Sequence, residues 1–173
     1  GEDTLSLHDA LPISYSHSVN VCLYAIAIGK KLSLSDSELS ELAHGAILHD
    51  IGKSKISDKI LNKEGPLDES EFTTMKTHTT LGESILVKLG EKSQIILDSV
   101  AYHHEKLDGG GYPKGLKDGE IPYYAQIIAV ADVFDALTTK RSYKDALGSF
   151  AALRVMRDKM EGHLAQKPLN ALI

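Results

Sequence analysis

From about residue 14 to residue 160 apolar side chains recur every three or four positions, and no stretch alternates as a half-buried strand would. A chain with that pattern must bury helical stripes against one another, so the expected fold is all-α, a helical bundle. The first helix is expected from about Ser14, with Val19, Leu23, Ile26 and Ala27 on its apolar stripe and Gly29 near its end. His17 lies one turn before Val21 and can face inward. Ser35-x-x-Glu38 is a capping box; the helix it starts places Leu39, Leu42, Ala43, Ala46 and Ile47 on one face and ends in His49-Asp50. Gly52 follows at once and is read as the stop.

Lys53 to Pro66 reads as a loop with a short helical piece around Ile60. Asp68-x-x-Glu71 caps a longer helix carrying Phe72, Met75, Thr79 and Gly82 to Leu86, with His78 in its middle. After Gly90, a helix with Ile95, Ile96, Ser99 and Val100 runs into Tyr102-His103-His104-Glu105. Residues 108–122 are too rich in glycine and proline for a regular element. The helical period returns from Tyr124 to Leu137, with Asp132 among apolar neighbours, and a last clear helix runs from about Ser149 to Met160. Residues 1–13 share neither period and are read as a non-native or disordered leader, so residues 14–173 form the expected domain.

The 173 residues suit one domain with a sizeable core, and the net charge of −5 offers no general attraction to a nucleic acid polymer. The longest apolar run, Val21 to Ile28, is far too short to span a membrane. Cys22 is the only cysteine, which excludes an internal disulfide and a cysteine-based zinc motif; it reads as a small thiol within an apolar helix. A cytoplasmic location is expected.

Histidine carries the chemical signal. There are eight in the chain, and each taken singly reads as a scattered surface or satisfied core residue rather than a functional one. His17, His49, Asp50, His78, His103, His104 and Asp132 nevertheless fall inside or at the ends of the expected helices. Five imidazoles and two carboxylates with no thiolate exceed one tetrahedral zinc and suit two ions such as iron or manganese. Asp50 is the natural bridge, since its neighbour His49 already engages one ion. The competing arrangement makes Asp132 an intrahelical salt-bridge partner and His103-His104 an exposed helix end. His8-Asp9 repeats the pair outside the pattern.

His49-Asp50-Ile-Gly-Lys53, Met75-Lys-Thr-His78, His103-His-Glu105, Asp108-Gly-Gly-Gly-Tyr-Pro113 and Ala131-Asp-Val-Phe-Asp-Ala-Leu-Thr138 resemble, in order, the motifs of the HD-GYP domains. The resemblance covers roughly residues 14–165. It implies an HD-superfamily helical bundle with a glycine-rich loop, acting as a phosphodiesterase that hydrolyses cyclic di-GMP to linear pGpG and onward to GMP. It also implies a dinuclear or trinuclear centre in which a metal-activated hydroxide attacks phosphorus. By position, His17, His49, Asp50 and Asp132 would hold one ion, and Asp50, His78, His103 and His104 the other. Trinuclear members carry a glutamate where this chain has Ile13.

Lys53, three residues past Asp50, is either a catalytic cation aimed at the leaving oxygen or a solvated loop lysine. Arg141 and Lys144 form a basic knot after the Asp132 helix, and matching residues of the family contact ligand phosphates. Gly111 and its neighbours can bring backbone N–H groups to a phosphate, and Tyr112 can stack on a guanine; the same loop can instead dock a diguanylate-cyclase partner, as the resemblance implies. Asp135, one turn after Asp132, is a candidate to orient a ligand histidine, while His163 is left outside the site. Two other functions stay open: hydrolysis of another nucleotide, and a cyclic di-GMP-responsive interaction module without turnover.

Overall fold

A computed structural model describes residues 15–140 and 145–173. Among these residues every regular element is helical, and the only β pairing is one isolated antiparallel bridge between Asp108 and Lys117. The order is α1 (Tyr15–Lys31), α2 (Asp36–Leu48), a 3-10 turn (Ile51–Lys55), α3 (Asp58–Leu61), α4 (Glu69–Lys76), α5 (His78–Lys88), α6 (Gln94–Tyr102), α7 (Tyr123–Thr138), α8 (Ser149–Lys159) and α9 (Gln166–Leu172). Both expected capping boxes form. Ser35 Oγ accepts from Glu38 N while Glu38 Oε2 accepts from Ser35 N, and Asp68 and Glu71 do the same.

The bundle is built around α7, in which every residue from Ile127 to Leu137 is buried. A helix apolar all round belongs in the interior, and α1, α6, α8 and α9 pack against it, with Val21, Ala25, Ile28, Leu42, Ile127, Val130, Phe134, Met156 and Leu169 in one core. A smaller core of Leu86, Ile96 and Val100 joins α5 to α6. Cys22 is half-buried against the main core.

The expected buried faces of two helices need correction, and one helix was not expected. On α1 the buried line is His17, Val21, Ala25 and Ile28, while Val19 and Leu23 are 44% and 59% exposed. Apolar residues occupy both stripes of that helix, so periodicity cannot choose between them; the packing against α2 and α7 does. Ile47 of α2 is likewise exposed, because Gly45 takes the contact with Ser99 of α6. The closing helix Gln166–Leu172 has too little periodicity to be read, yet Pro168 falls in its first turn, where a missing N–H leaves no bond unmade.

The expected helix through His78 is in fact two. Thr77 ends α4, its Oγ1 donating to Thr74 O at 2.7 Å, and His78 is the first residue of α5. The break lets the 3-10 turn lie directly on the start of α5: a Cβ on Gly52 would stand 1.8 Å from His78 O and 2.6 Å from Gly82 N. Gly52 therefore does not stop the helix through a left-handed backbone; it allows two backbones to touch. Gly52→Ala should cost about 3 kcal/mol, roughly 6–12 °C of melting temperature for a chain of this size. Gly148→Ala, where nothing lies within 4 Å of the new Cβ, should melt close to the parent. Equal melting of the two variants would refute the contact.

Candidate metal centre

Three of the candidate ligand histidines are aimed by the same device. His49 is the C-cap of α2 and its Nδ1 donates to Ala46 O at 2.7 Å; His78 Nδ1 donates to Met75 O at 2.7 Å, and His103 Nδ1 to Val100 O at 2.9 Å. A carbonyl only accepts, so Nδ1 carries the proton and Nε2 presents a lone pair inward. Burial keeps the His49 imidazole below its usual pKa and the His103 imidazole well below it, which favours the neutral, ligating form.

Asp50, 3% exposed, lies between these nitrogens. Its Oδ1 is 3.3 Å from His78 Nε2 and 3.9 Å from His103 Nε2; its Oδ2 is 3.4 Å from His49 Nε2 and 3.9 Å from His17 Nε2. Burial opposes the charge on this carboxyl, but the Lys53 ammonium holds it well below the usual carboxylate range. Lys53 is no solvated loop residue: it is 2% exposed and its Nζ donates to Asp50 Oδ2 at 2.8 Å.

On the other side, His17 Nδ1 donates to Asp135 Oδ2 at 2.6 Å, and its Nε2 is 3.1 Å from Asp132 Oδ1. Burial works against protonation of this ring, yet Asp132 and Asp135 raise its pKa to about 9. Asp135, fully buried, also accepts from Asn20 Nδ2 and Thr139 Oγ1, so the ligand histidine it orients is His17. Asn20 carries no sequence signal beyond its place one turn after the histidine.

His49 Nε2, His78 Nε2, His103 Nε2 and Asp50 Oδ1 are buried without a hydrogen-bond partner among the described residues. They are acceptors facing acceptors, an arrangement that a cation relieves, and the donor set fits divalent ions. Three groups have ligand atoms within 4.8 Å of one another: Asp50, His78, His103 and His104; His17, His49 and Asp50; and His49, His103 and Asp132. All seven expected ligands thus converge, with Asp132 spanning His17 and His49, which lies 3.9 Å from it.

The model of the family described as "HD domain" matches residues 2–165. The chain belongs to the HD domain family. The cyclic di-GMP phosphodiesterase PA4108 of Pseudomonas aeruginosa is 38% identical over 160 residues, 92% of this chain and 38% of that protein. The 3′3′-cGAMP-specific phosphodiesterase 3 of Vibrio cholerae is 40% identical over 157 residues, 91% of this chain and 34% of that one. This HD domain therefore spans a little over a third of the length of these relatives. Bd1817, a solved HDG"Y"P protein of Bdellovibrio bacteriovorus, superposes with a TM-score of 0.75 at 24% identity, covering 91% of this chain and 50% of that one, and shares its fold. The HD-GYP resemblance of the motifs stands.

In this HD domain the glycine-rich loop wraps the His103-His104 pair. Glu105, quoted in the sequence motif but given no role there, is buried, accepts from Lys114 N at 2.7 Å and Leu116 N at 2.8 Å and so folds the loop back on itself. A glutamate directly after paired ligand histidines was the available signal. A Cβ on Gly111 would stand 2.4 Å from His104 O and from Lys106 N, so this glycine allows close backbone approach. Tyr112 N donates to that same carbonyl, and the Tyr112 ring stacks on His104 at 4.9 Å between centroids. One face of Tyr112 is thereby spent on a ligand. His163 stays outside the centre, 3.2 Å from Asp108, and His44 is exposed. Arg141, Lys144, Ile13 and His8-Asp9 lie outside the described residues.

Asp135→Asn keeps the size of the side chain but removes the charge behind His17. Binding of Mn²⁺, followed by calorimetric titration, should weaken by about 10–100-fold with the fold retained. Unchanged affinity would show that His17 needs no such support.

Proposed function

We propose that this HD domain is a metal-dependent phosphodiesterase that opens cyclic dinucleotides, hydrolysing cyclic di-GMP to linear pGpG and onward to GMP. The observation that carries the reading is Asp50, which turns one oxygen toward His78 and His103 and the other toward His49 and His17. On this reading two divalent ions, iron or manganese rather than zinc, are held by His17, His49, Asp50 and Asp132 and by Asp50, His78, His103 and His104. When bound, such ions supply Lewis-acid neutralisation of charge at phosphorus and acidify a water.

The chain's own groups do the rest. Lys53 holds a proton beside Asp50, from where its ammonium meets the charge growing on the departing ribose oxygen. Asp135 keeps His17 in one tautomer, and Tyr112 and the loop behind it keep His104 in place. Arg141 and Lys144 are assigned to the substrate phosphates, the Gly111 backbone and the Tyr112 ring to the substrate as well, and the glycine-rich loop to a diguanylate-cyclase partner. A second reading, 3′3′-cGAMP as the preferred substrate, is favoured by the 40% identity to a relative named for that specificity. Among the described residues no helix is long and apolar enough to cross a membrane.

Protein purified without oxygen should contain close to two metal ions per chain and should open cyclic di-GMP in the presence of Mn²⁺ or Fe²⁺; a single stoichiometric zinc would defeat the dinuclear assignment. A panel with 3′3′-cGAMP and mononucleotides separates the two substrate readings. Lys53→Met should lower kcat by about a hundredfold or more with both ions retained. Turnover at the parent rate would remove Lys53 from the reaction.

A further inference from the structure

Lys76 stands in the last turn of α4, two residues before the ligand His78. Its Nζ lies 4.9 Å from the centroid of the Phe72 ring and 6.0 Å from that of Tyr112, the ring stacked on His104. These two π faces are its recorded partners among the described residues, with no carboxylate and no hydrogen bond. Nearby lysines are bound otherwise: Lys53 to Asp50, Lys63 to Glu71 and Lys114 to the Tyr102 hydroxyl.

The distinction matters chemically. A carboxylate neutralises an ammonium, whereas aromatic faces fix its position and leave both its charge and its N–H donors available. Phe72 lies one turn earlier on the same helix and Tyr112 on the glycine-rich loop, so a half-buried side chain carries its cation beside two rings on the His104 side of the centre. A cyclic dinucleotide carries two phosphodiester charges. With one at the metal centre beside Lys53, the second extends away from Asp50, where a cation that carries no carboxylate partner can receive it.

We propose that Lys76 is a substrate-binding residue, its ammonium receiving a phosphate of the cyclic dinucleotide on the His104 side of the centre. This inference rests on the reading of the domain as a cyclic dinucleotide phosphodiesterase. It requires that the lysine act through charge, since packing alone would be served by any side chain of that length.

The test compares wild type, Lys76→Met and Lys76→Arg in Mn²⁺-loaded form, with cyclic di-GMP and 3′3′-cGAMP as substrates. Lys76→Met keeps the stem on Phe72 and should raise KM about tenfold with kcat changed far less. Its metal content and melting temperature should equal the parent's, and Lys76→Arg should restore most of the affinity. An unchanged KM in Lys76→Met overturns the proposal, as does a loss of metal content or stability that accounts for the lost activity. If the wild type itself turns over neither dinucleotide, the functional reading fails and this inference fails with it, an outcome told apart by the wild-type arm alone.

Discussion

Four acceptors meet in the interior with no donor between them, and much of the domain is arranged around that conflict. Because His49, His78 and His103 each commit the Nδ1 proton to a backbone carbonyl, their Nε2 lone pairs confront Asp50 at 3.3 to 3.9 Å. Lone pairs so placed repel and have lost their water, which is unfavourable unless positive charge lies among them. Lys53 supplies part of that charge to Oδ2, while Oδ1 is left to the His78 and His103 side. The same conflict that burdens folding is one that a cation would relieve.

Holding the acceptors there is a backbone problem before it is a side-chain one. His49 and Asp50 leave α2 at its C-terminus, His78 opens α5, and His103-His104 close α6, so three helix ends must converge. The 3-10 turn after Asp50 reaches the start of α5 only because Gly52 has no Cβ, and the glycine-rich loop reaches the His104 carbonyl only because Gly111 has none. Glycine in these motifs thus acts by permitting approach, and the loop it forms is held in shape by Glu105, which takes the N–H groups of Lys114 and Leu116.

What could be read from the sequence follows from how local the cause was. The capping boxes at Ser35 and Asp68 involve residues three apart, and both form as read. The candidate cluster was legible because imidazoles and carboxylates in otherwise apolar helices are chemically conspicuous whatever their partners, and the structure brings those side chains together. The division at Thr77 was not, since the contact it serves joins His78 to Gly52, 26 residues earlier. Nor could the periodicity of α1 tell its inner face from its outer one, because apolar side chains lie on both and the choice depends on α2 and α7. Glu105 looked like an ordinary charged residue until the loop supplied two N–H groups for it.

The carboxylates of α7 extend the same reasoning to stability. Asp132 and Asp135 lie within a run of buried apolar residues, a position in which an unpartnered charge would be severely unfavourable. His17 contacts both, and Asn20 and Thr139 complete the shell of Asp135, so α1 is docked on α7 by polar as well as apolar contacts. The residues that draw α1 into the bundle are therefore those expected to bind the cation. A divalent ion held by His17 and Asp132 would strengthen the α1–α7 contact, and losing that contact would remove the ion's ligands. In such an arrangement ligand binding and folding of the first helix are one equilibrium, with each stabilising the other.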